Sequence, residues 1–146
     1  MIKYIFETTK HKLWVFVYLF NFSLQLIYRG IIHDNSKFSK EEMPYFLKVL
    51  PRLKYSAYGS QEYKDTLKEI KPAIDNHNKI NKHHPEHYKN GISDFSLLDL
   101  IEMLYDWKAA VKRHKDGNIL DSIKINSTRF NYSNVYIENI LRNTIK

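Results

Sequence analysis

The scarcity of residues that interrupt helices limits most strongly how this chain can fold. Its 146 residues include only 4 Gly and 4 Pro, and residues 3–29 contain neither. Long segments without such residues favour helices over a succession of short strands joined by turns. No segment shows the alternation of apolar and polar residues that is typical of a half-buried strand. The sequence therefore predicts an all-α protein, and its length predicts a single domain over residues 1–146.

The apolar segment near the amino end is predicted to be buried helix, because residues 3–29 are apolar around much of the helical circumference. Asn21 and Ser23 are poor helix formers and good caps, so a break is expected there, with Gly30 ending the segment. The stretch Leu13–Tyr28 contains these polar residues and falls short of the roughly 20 apolar residues of a membrane span. It also lacks a signal-peptide cleavage site. We therefore expect no membrane contact and a cytoplasmic protein.

Caps and helix-breaking residues predict the positions of the remaining helices. These are about 40–50, ended by Pro51; Ser60 towards Asn78, kinked or split at Pro72; 96–115; 120–127; and 133–143. Residues 81–91 are predicted to form an irregular loop. The expected architecture is one domain of about six or seven helices.

The chain has no cysteine and carries an excess of positive charge. Without thiolates, any metal must be bound by histidine nitrogen and carboxylate oxygen. The formal charge of +7, from 23 Lys+Arg against 16 Asp+Glu, suits an anionic partner. The lysines are scattered and no recognition-helix motif accompanies them, which argues against nucleic acid as that partner.

Histidines are unusually numerous and clustered. Four of the seven fall within eleven positions, as His77, His83, His84 and His87. Neighbouring neutral imidazoles gain little from one another except through a shared metal or phosphate. The cluster therefore predicts a site that binds a metal or a phosphate group.

Three acidic residues follow at spacings of three and four, which places Asp99, Glu102 and Asp106 along one helical face. Asp99 and Glu102 are interpreted as a solvated stripe. Asp106 differs because Leu, Tyr and Trp side chains surround it in the sequence. A carboxylate among large apolar residues is costly to bury unless a cation or a donor compensates it. Asp106 is therefore predicted to be a metal ligand.

His11, the adjacent pair His33-Asp34 and the distant Asp106 resemble the H…HD…D signature of the HD superfamily of metal-dependent phosphohydrolases. The positions of His11 and His33 differ by 22 residues. In one straight helix that difference corresponds to about 33 Å, too far for a shared cation. The resemblance therefore requires the chain to reverse near residues 21–23.

Two further motifs bear on the resemblance. The sequence from His33 to Lys37 is similar to the "HD-hydrophobic-G-K" turn of the superfamily, with Asn35 and Ser36 in place of the hydrophobic residue and the glycine. His77 followed by His83-His84 is similar to the extra ligands of members that hold two metals. No Gly-Tyr-Pro follows the paired histidines as it does in the HD-GYP branch, so cleavage of cyclic dinucleotides is not implied.

Over nearly the whole chain the sequence more closely resembles an uncharacterised domain family of phages and bacteria that is sometimes labelled catalase. The resemblance is carried by six blocks: His11–Val15, His33–Phe38, Tyr58–Ser60, His83–Tyr88, Asp99–Met103 and Asp106–Ala110. The catalase label finds no support in the sequence, because neither a haem motif nor a Glu-rich di-metal pattern is present.

The HD resemblance implies a metal-dependent phosphohydrolase that acts on a nucleotide or a similar phosphate ester through metal-activated water. One divalent ion would be bound by two histidines and two aspartates: His11, His33, Asp34 and Asp106. A second ion, or the phosphate itself, would be bound by the clustered histidines His77, His83, His84 and His87. Asp34 would also orient the nucleophilic water.

The candidates for neutralising the phosphate are the basic residues Lys37, Lys108, Arg113 and Arg129, the arginines through their bidentate fork. Mixed histidine and carboxylate ligands suit one or two ions of Mn, Fe, Co, Ni or Zn, and argue against Mg or Ca. No motif fixes the oligomeric state.

Two other functions would use the same residues. Some HD proteins with two irons use oxygen to oxidise a substrate carbon, and the many histidines here would permit that chemistry. A small phage-type domain could instead bind a nucleotide signal or a host protein without converting it.

Overall fold

Helices form the secondary structure of the residues that the computed structural model describes, which are 1–56, 60–113, 117–132 and 135–144. Within these ranges there are seven α-helices and no strand, so the all-α prediction is confirmed. The α-helices are α1 (Ile2–Ile32), α2 (Met43–Tyr55), α3 (Gln61–Glu69), α4 (Lys71–Ile80), α5 (Leu97–Val111), α6 (Ile119–Arg129) and α7 (Val135–Thr144). Short 3₁₀ turns lie at Asn35–Phe38, Pro85–His87 and Gly91–Asp94.

The contacts divide the chain into two units. The first, Met1–His33, consists of α1 and its C-cap residue His33. The second, Asp34–Lys146, contains the other helices and the three turns.

In the first unit, α1 is one uninterrupted helix of 31 residues. The predicted break at Asn21 and Ser23 is wrong. The Ser23 hydroxyl donates a hydrogen bond to the Leu19 carbonyl (2.9 Å), so this polar group is satisfied inside the helix and does not cap a new one. Gly30 lies within α1 rather than ending it, and the helix continues to its C-cap at His33.

The prediction that this segment is buried is also wrong, because none of the residues of α1 is buried. Large apolar side chains such as Phe16, Tyr18 and Leu19 are exposed along its length. By length and composition alone, the helical segment that includes α1 meets the requirements for crossing a membrane.

In the second unit, α2 begins later than predicted and continues through Pro51 to Tyr55. Proline removes one helical hydrogen bond but does not end the helix here. This part of α2 contacts α3, because Lys48 and Arg52 both form ion pairs with Glu69 of α3. These ion pairs are exposed and weak, so they accompany the continuation of α2 past Pro51 without accounting for it.

The boundary between α3 and α4 follows the local chemistry. Ser60 caps α3 as predicted, and its hydroxyl oxygen accepts a hydrogen bond from the Tyr63 amide (3.2 Å). Pro72 lies in the first turn of α4, where a missing amide hydrogen costs little. The predicted split at Pro72 is therefore confirmed.

The hydrophobic core of the second unit lies around α5, α6 and α7. Its buried members are Ile92, Met103, Leu104, Ile123, Tyr132 and Leu141. The indole of Trp107 packs against this core and stacks on the ring of Phe130, with the ring centroids 6.3 Å apart. This packing fixes the rotation of α5 and hence the direction of its polar face.

The start of α5 is fixed by a capping box. The Asp99 carboxylate accepts hydrogen bonds from the Ser96 amide (2.9 Å), the Ser96 hydroxyl (2.6 Å) and the Tyr88 hydroxyl (2.9 Å). The Ser96 oxygen accepts in turn from the Asp99 amide. Asp99 is only 3% exposed, so its interpretation as part of a solvated stripe is wrong.

We expect Asp99→Ala to lower the free energy of unfolding by about 2–3 kcal/mol, because it removes the cap and leaves buried donors without an acceptor. The control is Asp121→Ala, which removes an exposed carboxylate from the first turn of α6. That change should cost about 0.5 kcal/mol or less. Denaturant unfolding followed by circular dichroism measures both. Equal losses in the two variants would contradict the role of Asp99.

Candidate metal centre

The second unit brings Asp34 together with three of the clustered histidines, His77, His83 and His84. Each offers one ligand atom, and these four atoms all lie within 4.8 Å of one another. Two donors on opposite sides of a transition metal are about 4 Å apart, so small side-chain adjustments would suffice for a shared ion. These four residues are called the Asp–His group below.

Asp34 is positioned by an unusual backbone conformation. It directly follows His33, the C-cap of α1, and has a left-handed conformation with φ 58° and ψ 15°. Aspartate tolerates this region better than most residues. The 3₁₀ turn that follows returns Lys37 towards Asp34, so that its amide donates to the Asp34 carbonyl (2.9 Å) and its ammonium pairs with Asp34 Oδ2.

The three histidines come from the end of α4 and the loop after it. His77 lies in the last turn of α4, and the Asn81 side-chain amide donates to the His77 carbonyl (2.8 Å). In the loop, the His87 amide donates to the His84 carbonyl (3.0 Å) and starts a 3₁₀ turn. The ring centroid of His84 lies 4.8 Å from that of His77 and 4.2 Å from that of His83. The region predicted as irregular loop is therefore ordered by short turns.

Two histidines of the Asp–His group lie between carboxylates. His77 Nε2 is 3.1 Å from Asp34 Oδ1, and its Nδ1 is 2.9 Å from Glu42 Oε2. His83 Nε2 is 3.4 Å from Asp34 Oδ1, and its Nδ1 is 3.1 Å from Glu102 Oε1. The Nε2 atoms thus face the shared Asp34 oxygen while the Nδ1 atoms face outer carboxylates. Histidines that bind metals commonly have such an outer partner.

Neither outer carboxylate was predicted from the sequence. Glu42 looked like an ordinary acidic residue at a helix start, yet it is fully buried. Nothing in its local sequence indicates this. Glu102 was interpreted as solvated, although its side chain is only 11% exposed. The sequence spacing could have predicted Glu102 at the site, because this residue lies one turn before Asp106 on the same face of α5.

The surroundings keep Asp34 ionised. Burial acts to raise the pKa of this carboxyl group, but hydrogen bonds from His77 and His83 and the charge of Lys37 outweigh burial and hold the pKa far below its usual range. A carboxylate that is this difficult to protonate suits a metal ligand and makes a weak general base.

His84 is kept neutral. Burial, assisted by the neighbouring His83 and His77, lowers its pKa to about 3. Its Nε2 is buried and has no hydrogen-bond partner within the described ranges. A buried nitrogen of this kind is costly unless it binds something, so it is a natural donor for a cation.

The other predicted ligands have different positions. Asp106 borders the Asp–His group, because its charge acts on His84 and its ligand atom lies within 4.8 Å of that of His83. His11 is exposed on α1, which continues without a break through residues 21–23, where a chain reversal was predicted. His11 is therefore about 33 Å along the helix from His33 and cannot share an ion with it in one chain.

Of the predicted phosphate-binding residues, Lys37 pairs with a member of the Asp–His group, Asp34. Arg129 pairs with Glu86 (2.9 Å), and the Lys108 ammonium lies 5.6 Å from the ring centroid of Tyr105. Arg113 is exposed at the end of α5. His87 Nδ1 lies 2.6 Å from the Lys79 carbonyl, which assigns it a structural hydrogen bond.

The chain belongs to DUF5662, a family of unknown function, and the match covers residues 1–146. This agrees with the predicted membership of an uncharacterised domain family. Neither a curated protein nor a solved structure matches the chain. The relationship to the HD superfamily and the phage origin stay predictions.

The lowered pKa of His84 predicts a pH dependence of stability in the presence of a chelator. Between pH 6.5 and 3 the unfolded chain takes up a proton at this site and the folded chain does not, so the free energy of unfolding falls as the pH is lowered. Above pH 6.5, His84 does not make the free energy of unfolding depend on pH. We expect His84→Gln to make the fall shallower between pH 6.5 and about 4.5, a range in which Asp34 contributes little. Urea unfolding at several pH values measures it, and an unchanged slope would contradict the assignment.

Proposed function

We propose that this protein is a metal-dependent phosphohydrolase that acts on a nucleotide or a related phosphate ester, with the metal bound by the Asp–His group. One observation supports the metal above all others. Four potential ligand atoms converge within 4.8 Å in a largely buried place, and the His84 nitrogen among them has no hydrogen-bond partner in the described part of the chain.

The donors favour a divalent transition metal. Three imidazole nitrogens and one carboxylate oxygen suit Mn, Fe, Co, Ni or Zn better than Mg or Ca, which prefer oxygen donors. Four protein ligands would complete the tetrahedral shell that zinc adopts in structural sites. An ion that takes five or six ligands would keep one or two positions for water and substrate. Hydrolysis therefore favours Mn, Fe, Co or Ni.

The charges of the Asp–His group suit an anionic substrate. A divalent ion with one carboxylate and three neutral imidazoles carries a net charge of about +1, which attracts a phosphate. When bound, such an ion lowers the pKa of a coordinated water and stabilises charge on phosphoryl oxygens. Asp34 serves as the anionic ligand, and Lys37 holds its second oxygen in place. The Asp106 carboxylate, beside His83 and His84, is the candidate for orienting the water.

The number of protein ligands also favours a second function. If the ion is zinc, the four donors close its shell and leave no position for a reacting water. The ion would then stabilise the fold, and the protein would bind a nucleotide or a partner without hydrolysing it. The identity of the bound metal therefore separates the two functions.

The test is metal analysis combined with a screen of phosphorylated metabolites and nucleotides. We expect the purified protein, loaded with Mn, Fe, Co or Ni, to retain about one ion per chain and to release phosphate from at least one substrate class. Asp34→Asn should abolish both properties because it removes the anionic ligand. Asp75→Asn, the same substitution at an exposed carboxylate on α4, should preserve both.

Two outcomes would contradict the proposal in different ways. Absence of bound transition metal after loading would refute the metal centre itself. Stoichiometric zinc together with retention of unmodified nucleotide would refute hydrolysis and support the binding function.

A further inference from the structure

We infer that Glu42 and Glu102 are positioning residues, which fix His77 and His83 with the proton on Nδ1 and the lone pair of Nε2 directed to a common ion. The inference rests on the proposed metal centre. It assigns a role to two carboxylates that do not belong to the Asp–His group.

The hydrogen-bond donors around His77 determine where its proton lies. Three polar atoms surround Nδ1: Glu42 Oε2 at 2.9 Å, Ser36 Oγ at 2.9 Å and Asn81 Nδ2 at 3.1 Å. The two amide hydrogens of Asn81 are used by the Ser36 hydroxyl oxygen (2.8 Å) and the His77 carbonyl (2.8 Å). The Ser36 hydroxyl hydrogen is directed to Glu42 Oε2 (3.1 Å). The Ser36 hydroxyl could also turn towards Nδ1, but the Glu42 carboxylate at 2.9 Å can only accept a hydrogen bond, so the proton lies on Nδ1.

The consequence appears on the other side of the His77 ring. With the proton on Nδ1, a neutral imidazole presents the lone pair of Nε2, which lies 3.1 Å from Asp34 Oδ1. In the metal-free chain a second proton, on Nε2, would donate to Oδ1, and a bound cation would take the place of that proton between the two atoms. The arrangement of Glu42, His77 and Asp34 thus fits an ion bound by both Nε2 and Oδ1.

Glu42 is itself held firmly. Its second oxygen, Oε1, accepts a hydrogen bond from the Asn76 side chain (3.0 Å), and the residue is 0% exposed. With partners from the Asn35–Phe38 turn and from α4, it has little freedom to rotate. A buried carboxylate in fixed contact with an imidazole both orients the ring and raises its basicity as a ligand.

Glu102 contacts Nδ1 of His83 as Glu42 contacts Nδ1 of His77. It precedes Met103 and Leu104, which are each 1% exposed in the core, so packing holds α5 in place at this point. Its Oε1 lies 3.1 Å from Nδ1 of His83, whose Nε2 faces Asp34 Oδ1. His84 has no side-chain hydrogen bond of this kind among the described residues, so an outer carboxylate orients two of the three imidazoles.

The test uses Glu42→Gln and Glu102→Gln, with Glu86→Gln as the matched control. Glu86 lies in the same loop region as the histidines but pairs with Arg129. Titration with Co²⁺ alone should show affinity reduced about 10- to 100-fold in each of the first two variants and unchanged in the control. Circular dichroism establishes that each variant is folded.

A spectroscopic readout separates positioning from a general structural effect. In metal-loaded wild-type protein, the ¹⁵N resonances of the imidazoles should show His77 and His83 protonated at Nδ1 and ligated through Nε2, with Zn²⁺ as the diamagnetic probe. Glu42→Gln should disturb the His77 signals and Glu102→Gln the His83 signals, each without the other. The wild-type measurement decides the question even if a variant fails to fold.

The inference and the proposed function fail in different ways. Wild-type protein that binds Co²⁺ while both variants retain its affinity and tautomers would overturn the inference and leave the metal centre intact. Wild-type protein ligated through Nδ1 of His77 or His83 would do the same. Wild-type protein that binds neither metal would overturn the metal centre.

Discussion

The site depends on one partly buried charge, the carboxylate of Asp34. Removing an ionised carboxylate from water is costly, and the fold compensates the cost from several directions. Lys37 pairs with Oδ2, while His77 and His83 approach Oδ1. The left-handed backbone of Asp34 and the 3₁₀ turn after it bring the lysine into place. A divalent cation on Oδ1 would complete this compensation better than imidazoles alone, because the imidazoles would then contribute lone pairs.

The contacts of Asp34 extend outward as two layers. The inner layer contains the imidazoles, and the outer layer contains Glu42 and Glu102, which contact His77 and His83 through Nδ1. The outer carboxylates lie on different structural elements, one just before α2 and the other on α5. The geometry of the site therefore depends on how the elements of the second unit pack together. The capping box at Asp99 and the core around Leu104 both affect it through the rotation of α5.

The features that could be predicted from sequence are those that are decided locally. Ser60 caps α3 and Pro72 splits α3 from α4, because a cap and a missing amide act within one turn. The contribution of Asp34 and the clustered histidines was predictable from residue type. The continuation of α1 through Ser23 and of α2 through Pro51 was not, because the local preference against helix at these positions did not end either helix. A break at Ser23 was expected from its residue type and a chain reversal there from a resemblance, and the uninterrupted α1 contradicts both.

The outer carboxylates explain why the chemistry of such a site is difficult to read from a sequence. A glutamate at a helix start, such as Glu42, has the same local pattern whether it is solvated or fully buried. The difference arises from partners 34 and 35 positions away, Asn76 and His77. The outer carboxylates that contact the ligand imidazoles also favour strong retention of a bound ion. An ion that is strongly retained can act on water or substrate only through coordination positions that the protein leaves unoccupied. The number of its ligands, more than its affinity, therefore determines whether the centre can activate water.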